Sequence, residues 1–217
     1  MASPAQSTAV GLTDFKYAVM TSGTDVSGGT ASYGTVYSIP GLTEANYAGA
    51  AGLTRLFADD GIFETSDYVG EQSISINLAD ILEADQNRIF GFGYANGILE
   101  KSSTSASPYL WIGFKVTLAN GTYKYVSIPK VKFSKPDSDN KTKAASIEFQ
   151  TQMIEGGINN LICNGNYMLT TRTDDTALPA ATLAAWFTTP VIAKTVDLTG
   201  LTAVITAGAG ATKTVLL

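Results

Sequence analysis

The sequence predicts a mainly β (α+β) fold with one flanking helix, and three features carry that expectation: apolar alternation in several runs, turn dipeptides between them, and one stretch of helical periodicity. In residues 109–118, Leu110, Ile112, Phe114, Val116 and Leu118 alternate with Tyr109, Trp111, Gly113, Lys115 and Thr117. That period of two sorts side chains onto the two faces of a strand. Residues 122–133 follow Asn120-Gly121, a pair that tolerates positive φ and predicts a long hairpin closed by a type I′ turn. A two-residue loop there sets Leu118 opposite Tyr123, Val116 opposite Tyr125, Leu110 opposite Val131, Trp111 opposite Lys130 and Tyr109 opposite Lys132. One face of the hairpin is then apolar, the other aromatic and basic.

The remaining elements follow in chain order. Phe15, Tyr17 and Val19 alternate with Lys16, Ala18 and Met20 and predict a first strand. A Gly/Ser/Thr-rich loop over 21–34 leads to a short strand over 35–39, which Pro40-Gly41 ends. Residues 53–58 and 62–68 flank Asp60-Gly61, a second hairpin signal. Residues 73–78 alternate again, and the period turns helical from Asn77, a plausible N-cap, with Asp80 and Glu83 early and Arg88 late to suit the helix dipole. Leu78, Ile81, Leu82 and Ile89 form the apolar stripe that faces the sheet, and Gly91 closes the helix after about four turns. Residues 101–107 and 134–143 are polar loops, 145–153 alternate as a half-buried strand, 167–171 add another, and 179–187 form a short helix opened by Pro179 with Leu183, Trp186 and Phe187 on one side. Residues 191–217 are too few for a core of their own. The expected organisation is one domain over 1–190 and a C-terminal arm over 191–217 that packs on something else, such as a neighbouring subunit.

Composition excludes whole classes of activity. The chain has 217 residues, 45% of them hydrophobic, which suits one ample core. Its net charge of −5 opposes affinity for nucleic-acid phosphates or anionic lipid. No histidine is present, which removes the usual general base, the Ser/His and Cys/His nucleophile pairs and the commonest metal ligand. The lone Cys163 forms no internal disulfide and reads as a small buried apolar residue. Residues 1–10 lack a basic region and an apolar run, so no secretory signal is expected, and Pro179 and Pro190 interrupt the uncharged stretch 177–193, so no membrane span is expected.

Four groups of residues have chemistry to weigh. Asp59, Asp60 and Glu64 supply carboxylates of the kind a glycoside hydrolase needs, but Asp-Gly is explained by its turn. Asp137, Asp139 and Asn140 begin like a calcium loop, which Lys141 and the lack of a closing Glu then spoil. Asn120-Gly-Thr122 and Asn140-Lys-Thr142 match glycan acceptors but lack the secretory context. Trp111 and Tyr109 beside Lys130 and Lys132 suit stacking on a base or sugar, or a subunit contact. No enzymatic activity, cofactor or metal is expected.

Eight short motifs occur in order: Val10-Gly11-Leu12, Leu56-Phe-Ala-Asp-Asp-Gly61, Pro108-Tyr-Leu-Trp-Ile-Gly-Phe114, Tyr123-Lys-Tyr125, Pro129-Lys-Val-Lys-Phe133, Ile147-Glu-Phe-Gln-Thr151, Ile154-Glu-Gly156 and Ala184-Ala-Trp-Phe187. Together they resemble the major tail protein, or tail tube, family of bacteriophages with long non-contractile tails (siphophages). The resemblance spans roughly residues 10–187 and omits 21–34 and the chain after Pro190. It implies a β-sandwich with a flanking helix, assembled as hexameric rings that stack into a tube whose inner strands form a lumenal barrel. The protein is then a virion tail component made in the host bacterial cytoplasm. Its partners are further copies of itself and the tape measure, tail terminator and distal tail proteins, and DNA passes through without specific binding. Sheet edges left open in one subunit become joints in a ring. The expected inter-subunit residues are Leu56, Phe57, Asp59, Asp60, Trp111 and Lys130. A carbohydrate-binding or adhesive β-sandwich module using Trp111, Tyr109 and Tyr123 is the alternative.

Overall fold

A computed structural model describes residues 6–58, 60–136 and 150–193. Strands β1 (Ala9–Met20), β2 (Tyr33–Ile39), β3 (Leu42–Ala58) and β4 (Gly61–Leu78) precede helix α1 (Glu83–Phe90) and the short strands β5 (Gly93–Ala95) and β6 (Ile98–Glu100). Strands β7 (Leu110–Leu118), β8 (Tyr123–Phe133), β9 (Gln152–Ile158) and β10 (Leu169–Arg172) and helix α2 (Ala180–Ala185) complete the chain. Eight strands form one antiparallel sheet ordered β2-β1-β7-β8-β9-β4-β3, with β10 pairing with β8, while β5 and β6 form a separate hairpin. The mainly β expectation therefore holds. The sheet curls until β3 meets β1, enclosing a sandwich-like core.

That core is the inward face of each strand. Phe15 and Tyr17, Ile74, Ile76 and Leu78, Leu110, Ile112 and Phe114, Val126 and Ile128, and Ile154 pack into one cluster with Ile89 and Phe90 of α1. Tyr17 fixes α1 by donating its phenolic proton to Asp85 Oδ1 at 2.6 Å, and Arg88 bridges the same oxygen at 3.0 Å. Burial, reinforced by the Asp85 carboxylate, pushes the Tyr17 hydroxyl far above its usual pKa, so it remains a donor.

The β7–β8 hairpin forms, with a different turn and register. Leu118 accepts from the Gly121 N–H and donates to Thr122 O, so Ala119, Asn120 and Gly121 make a three-residue turn, with only Gly121 at positive φ (80°). Asn120 Oδ1 accepts from both the N–H and the hydroxyl of Thr122, which favours this turn over type I′. Pairing consequently shifts by one, setting Thr117 against Tyr123, Lys115 against Tyr125 and Val116 against Lys124. Pro129 cannot donate to the ladder, and β8 carries its extra residue between Ile128 and Val131, which restores the expected pairing of Leu110 with Val131.

Helix α1 starts later than its periodicity suggests. Leu78 is still paired with both Leu42 and Gln152, so residues around Asn77 have their backbone groups in the ladder and cannot open a helix. Leu82 is the N-cap, without a side-chain cap, and points outward, while Ile81 and Ile89 are buried. Gly91 ends the helix in the left-handed conformation (φ 68°), as expected. Strand β10 and helix α2 also form where expected, with Pro179 as the N-cap of α2. Of the expected strand over 145–153, residues 145–149 lie outside the described residues and only Gln152 and Met153 are in a strand, at the start of β9; of the expected arm over 191–217, residues 194–217 lie outside them.

Candidate functional site: the projecting arm and the sheet margins

Strand β9 ends at Ile158, opposite Gln72, but β3 and β4 continue together to Ala58 and Gly61. Past that point no third strand joins them among the described residues. Residues 51–58 and 61–69 thus form a bare two-stranded ribbon, about 25 Å long at about 3.3 Å per residue. Where it leaves the body, β4 carries an extra residue between Gln72 and Val69, the kind of bulge that bends a strand pair. At the tip, Ala58 pairs with Gly61 and Asp60 takes φ 60°. The turn is therefore centred one residue before the expected Asp60-Gly61, and Asp59 lies outside the described residues.

The ribbon is apolar on both sides. Leu53 with Asp67, Arg55 with Thr65 and Phe57 with Ile62 share one face, while Gly52 with Tyr68 and Leu56 with Glu64 share the other. Phe57 is 67% exposed, Phe63 72% and Leu53 64%, and Leu56, Ile62, Tyr68 and Val69 are each more than half exposed. A patch of this kind on a chain that already owns a core makes the ribbon the candidate interaction surface. Asp60, Glu64, Asp67 and Glu71 make it acidic against the single Arg55.

Of the residues expected at subunit contacts, Leu56, Phe57 and Asp60 therefore stand together on this arm. Trp111 and Lys130 do not join them. Trp111 has no exposed surface: α2 lays Trp186 and Phe187 over it, with Val191 beside them. Its indole N–H donates to Ser127 Oγ at 2.7 Å, and that hydroxyl donates to Val191 O at 2.7 Å. Around Trp111 the hairpin face read as aromatic and basic is thus a second core under α2, while Tyr109 and Lys132 at its end stay exposed. Alternation misses this because it reports period and not what covers each face.

Lys130 is held inside by a partner the sequence did not reveal. Its ammonium lies 2.6 Å from Asp25 Oδ2, both side chains being almost wholly buried. Asp25 Oδ1 also accepts the backbone N–H of Ile162 and Cys163. Burial by itself raises the Asp25 pKa, and the Lys130 ammonium with these two N–H donors outweighs it, holding the carboxyl below its ordinary value. This clasp ties the 21–32 loop and the 159–166 loop to β8. Its only sequence signal was a lone acid in a Gly/Ser/Thr-rich run.

Tyr109 remains partly exposed, with Lys130 and Lys132 4.9 and 5.4 Å from its ring centroid. Tyr123 stands at the other end of the hairpin, and Trp111 is inaccessible, so Tyr109, Trp111 and Tyr123 form no common stacking platform. Asp60 and Glu64 project from the exposed ribbon. Cys163 is a free, half-buried thiol. No group of three or more metal-ligating side chains occurs among the described residues, and the calcium-like Asp137, Asp139 and Asn140 lie outside them, as does Asn140 of the second glycan-acceptor pattern. No helix among the described residues is long and apolar enough to cross a membrane. Asn96-Gly97 gave an unread hairpin signal: both residues take positive φ (53° and 79°) between β5 and β6.

Compared with known proteins, the chain matches no family model and no curated sequence significantly.

Proposed function

We propose that this protein is a structural subunit that works by self-assembly: the major tail tube protein of a long, non-contractile bacteriophage tail, forming hexameric rings that stack into a conduit for DNA. The β3–β4 arm carries this reading. A subunit with a core of its own extends about 25 Å of ribbon with large apolar side chains on both faces, left uncovered by any other described residue, and burial against a further copy would stabilise it. Stacking requires that kind of reach from one ring to the next. The resemblance of the ordered motif series supports the family assignment, which would bring the tape measure, tail terminator and distal tail proteins as partners and the virion tail as location.

The charge is consistent with an inert passage. Six copies of a chain at −5 carry −30, and an acidic wall repels a DNA backbone at short range, salt screening the interaction beyond about 10 Å. No catalytic chemistry is assigned. Negative-stain microscopy and sedimentation of the concentrated protein test the reading: rings or tubes of uniform diameter are expected. A species that stays monomeric at high concentration, even with tail initiator proteins added, overturns it. Specific binding on a glycan array, with no assembly, supports an adhesive module instead.

A further inference from the structure

The root of the arm holds a groove that the assembly reading leaves unfilled. Strand β9 turns away at Ile158 while β4 runs on, and the gap between the ribbon and β8 opens to about 1010 Å³. Ala48, Gly49, Ala50, Gly70 and Gly157 line it, with Tyr109 and Lys130 at the far side. Small residues leave the backbone edge of β4 accessible, so the groove has the form of a vacated strand position. Gln72 lies against it. The residue is 6% exposed, and its buried Oε1 has no hydrogen-bond partner among the described residues. A buried amide oxygen left unpaired is unfavourable, and turning this groove-lining side chain outward would offer it to a donor arriving there.

The geometry points to an extended strand of a second copy as the occupant, lying against β4 beyond Gln72, with its edge strand β2 as the strand supplied. This rests on the assembly reading and adds which edges meet. Two observations select β2. Arm-to-arm pairing of two copies sets Asp60, Glu64, Asp67 and Glu71 against the same acids, with Arg55 alone to offset them, and like charges across a strand pair destabilise it. Strand β2, in contrast, reads Tyr-Gly-Thr-Val-Tyr-Ser-Ile without a charge, lies at the opposite margin of the sheet, and pairs only with β1 among the described residues. Joining two different edges is a head-to-tail contact, which repeats from copy to copy and closes into a ring when the rotation permits.

The test uses the full chain in a Cys163→Ser background. Glu71→Cys is combined in turn with Thr35→Cys and Ser38→Cys, assembled, and treated with a short bismaleimide. Ladders of covalent multimers are expected from the assembled protein and only monomer from the dilute protein. In parallel, Gln72→Leu is expected to leave the dilute subunit folded and to raise its half-assembly concentration at least tenfold. Assembly of all variants without cross-linking, while Gln72→Leu assembles as the wild type does, overturns the groove assignment and leaves the tube reading standing. A wild-type protein that never assembles overturns both.

Discussion

Phe57 and Phe63 give the assembly reading its sharpest quantitative test. They are 67% and 72% exposed in the isolated subunit, so their substitution removes almost nothing from its core. Burying a whole phenylalanine side chain is worth about 3 kcal/mol. Some two thirds of each ring is still to be buried, which makes the pair worth about 4 kcal/mol per subunit contact at full burial. At about 1.4 kcal/mol per decade, Phe57→Ser/Phe63→Ser weakens association by about a thousandfold. The dilute monomer changes by about 0.5 kcal/mol or less, as surface substitutions do. Sedimentation velocity across a concentration series reads the first quantity, and urea unfolding of the dilute protein the second. The reasoning fails if the variant assembles at wild-type concentrations, since the exposed rings are then idle. It fails equally if the monomer loses several kcal/mol, because the ribbon is then packed in the free subunit.

Three further outcomes follow from the interior. Trp111→Ala deletes an indole with no exposed surface and frees Ser127, so unfolding stability should fall by about 3–5 kcal/mol; a loss under about 1 kcal/mol means that the cover by α2 is loose. Asp25→Asn strands the Lys130 ammonium inside and should cost about 3 kcal/mol at neutral pH. Because the folded Asp25 pKa lies below the unfolded value of 3.8, its stabilisation is complete above that value and lost as pH falls through the lowered folded pKa. Wild type and variant should thus converge in an acid-unfolding series, and a gap that persists in strong acid rules the clasp out as its source. Gly91→Ala drives a methyl into the backbone oxygen of Ala106 in a residue at φ 68°, so the melting temperature should drop clearly; an unchanged one shows that the α1 C-cap relaxes freely.

Much of the local structure was legible in the chain. Alternation located β1, β7, β8 and the 73–78 part of β4, and Gly91 marked the end of α1, because strand period and a left-handed cap are backbone requirements met within a few residues. Register was less legible. The hairpin at Asn120-Gly121 depended on a side-chain acceptor choosing a three-residue turn, and its repair depended on the missing N–H of Pro129. The candidate surface was half legible: Leu56, Phe57 and Asp60 were read beside a turn, but the run Ala48-Gly-Ala-Ala-Gly52 has no period, and it hid that β3 is one strand of 17 residues.

By itself the sequence determined the mainly β class and the inward face of most strands, since each depends on residue type and near-neighbour spacing. Only the tertiary structure decided which faces are covered. Trp111 and Lys130 are interior because α2 and Asp25 arrive from far along the chain, whereas Phe57 and Phe63 stay bare because β9 ends at Ile158 and nothing among the described residues follows the ribbon outward. Burial belongs to a side chain together with whatever packs on it, and that second party is rarely a sequence neighbour.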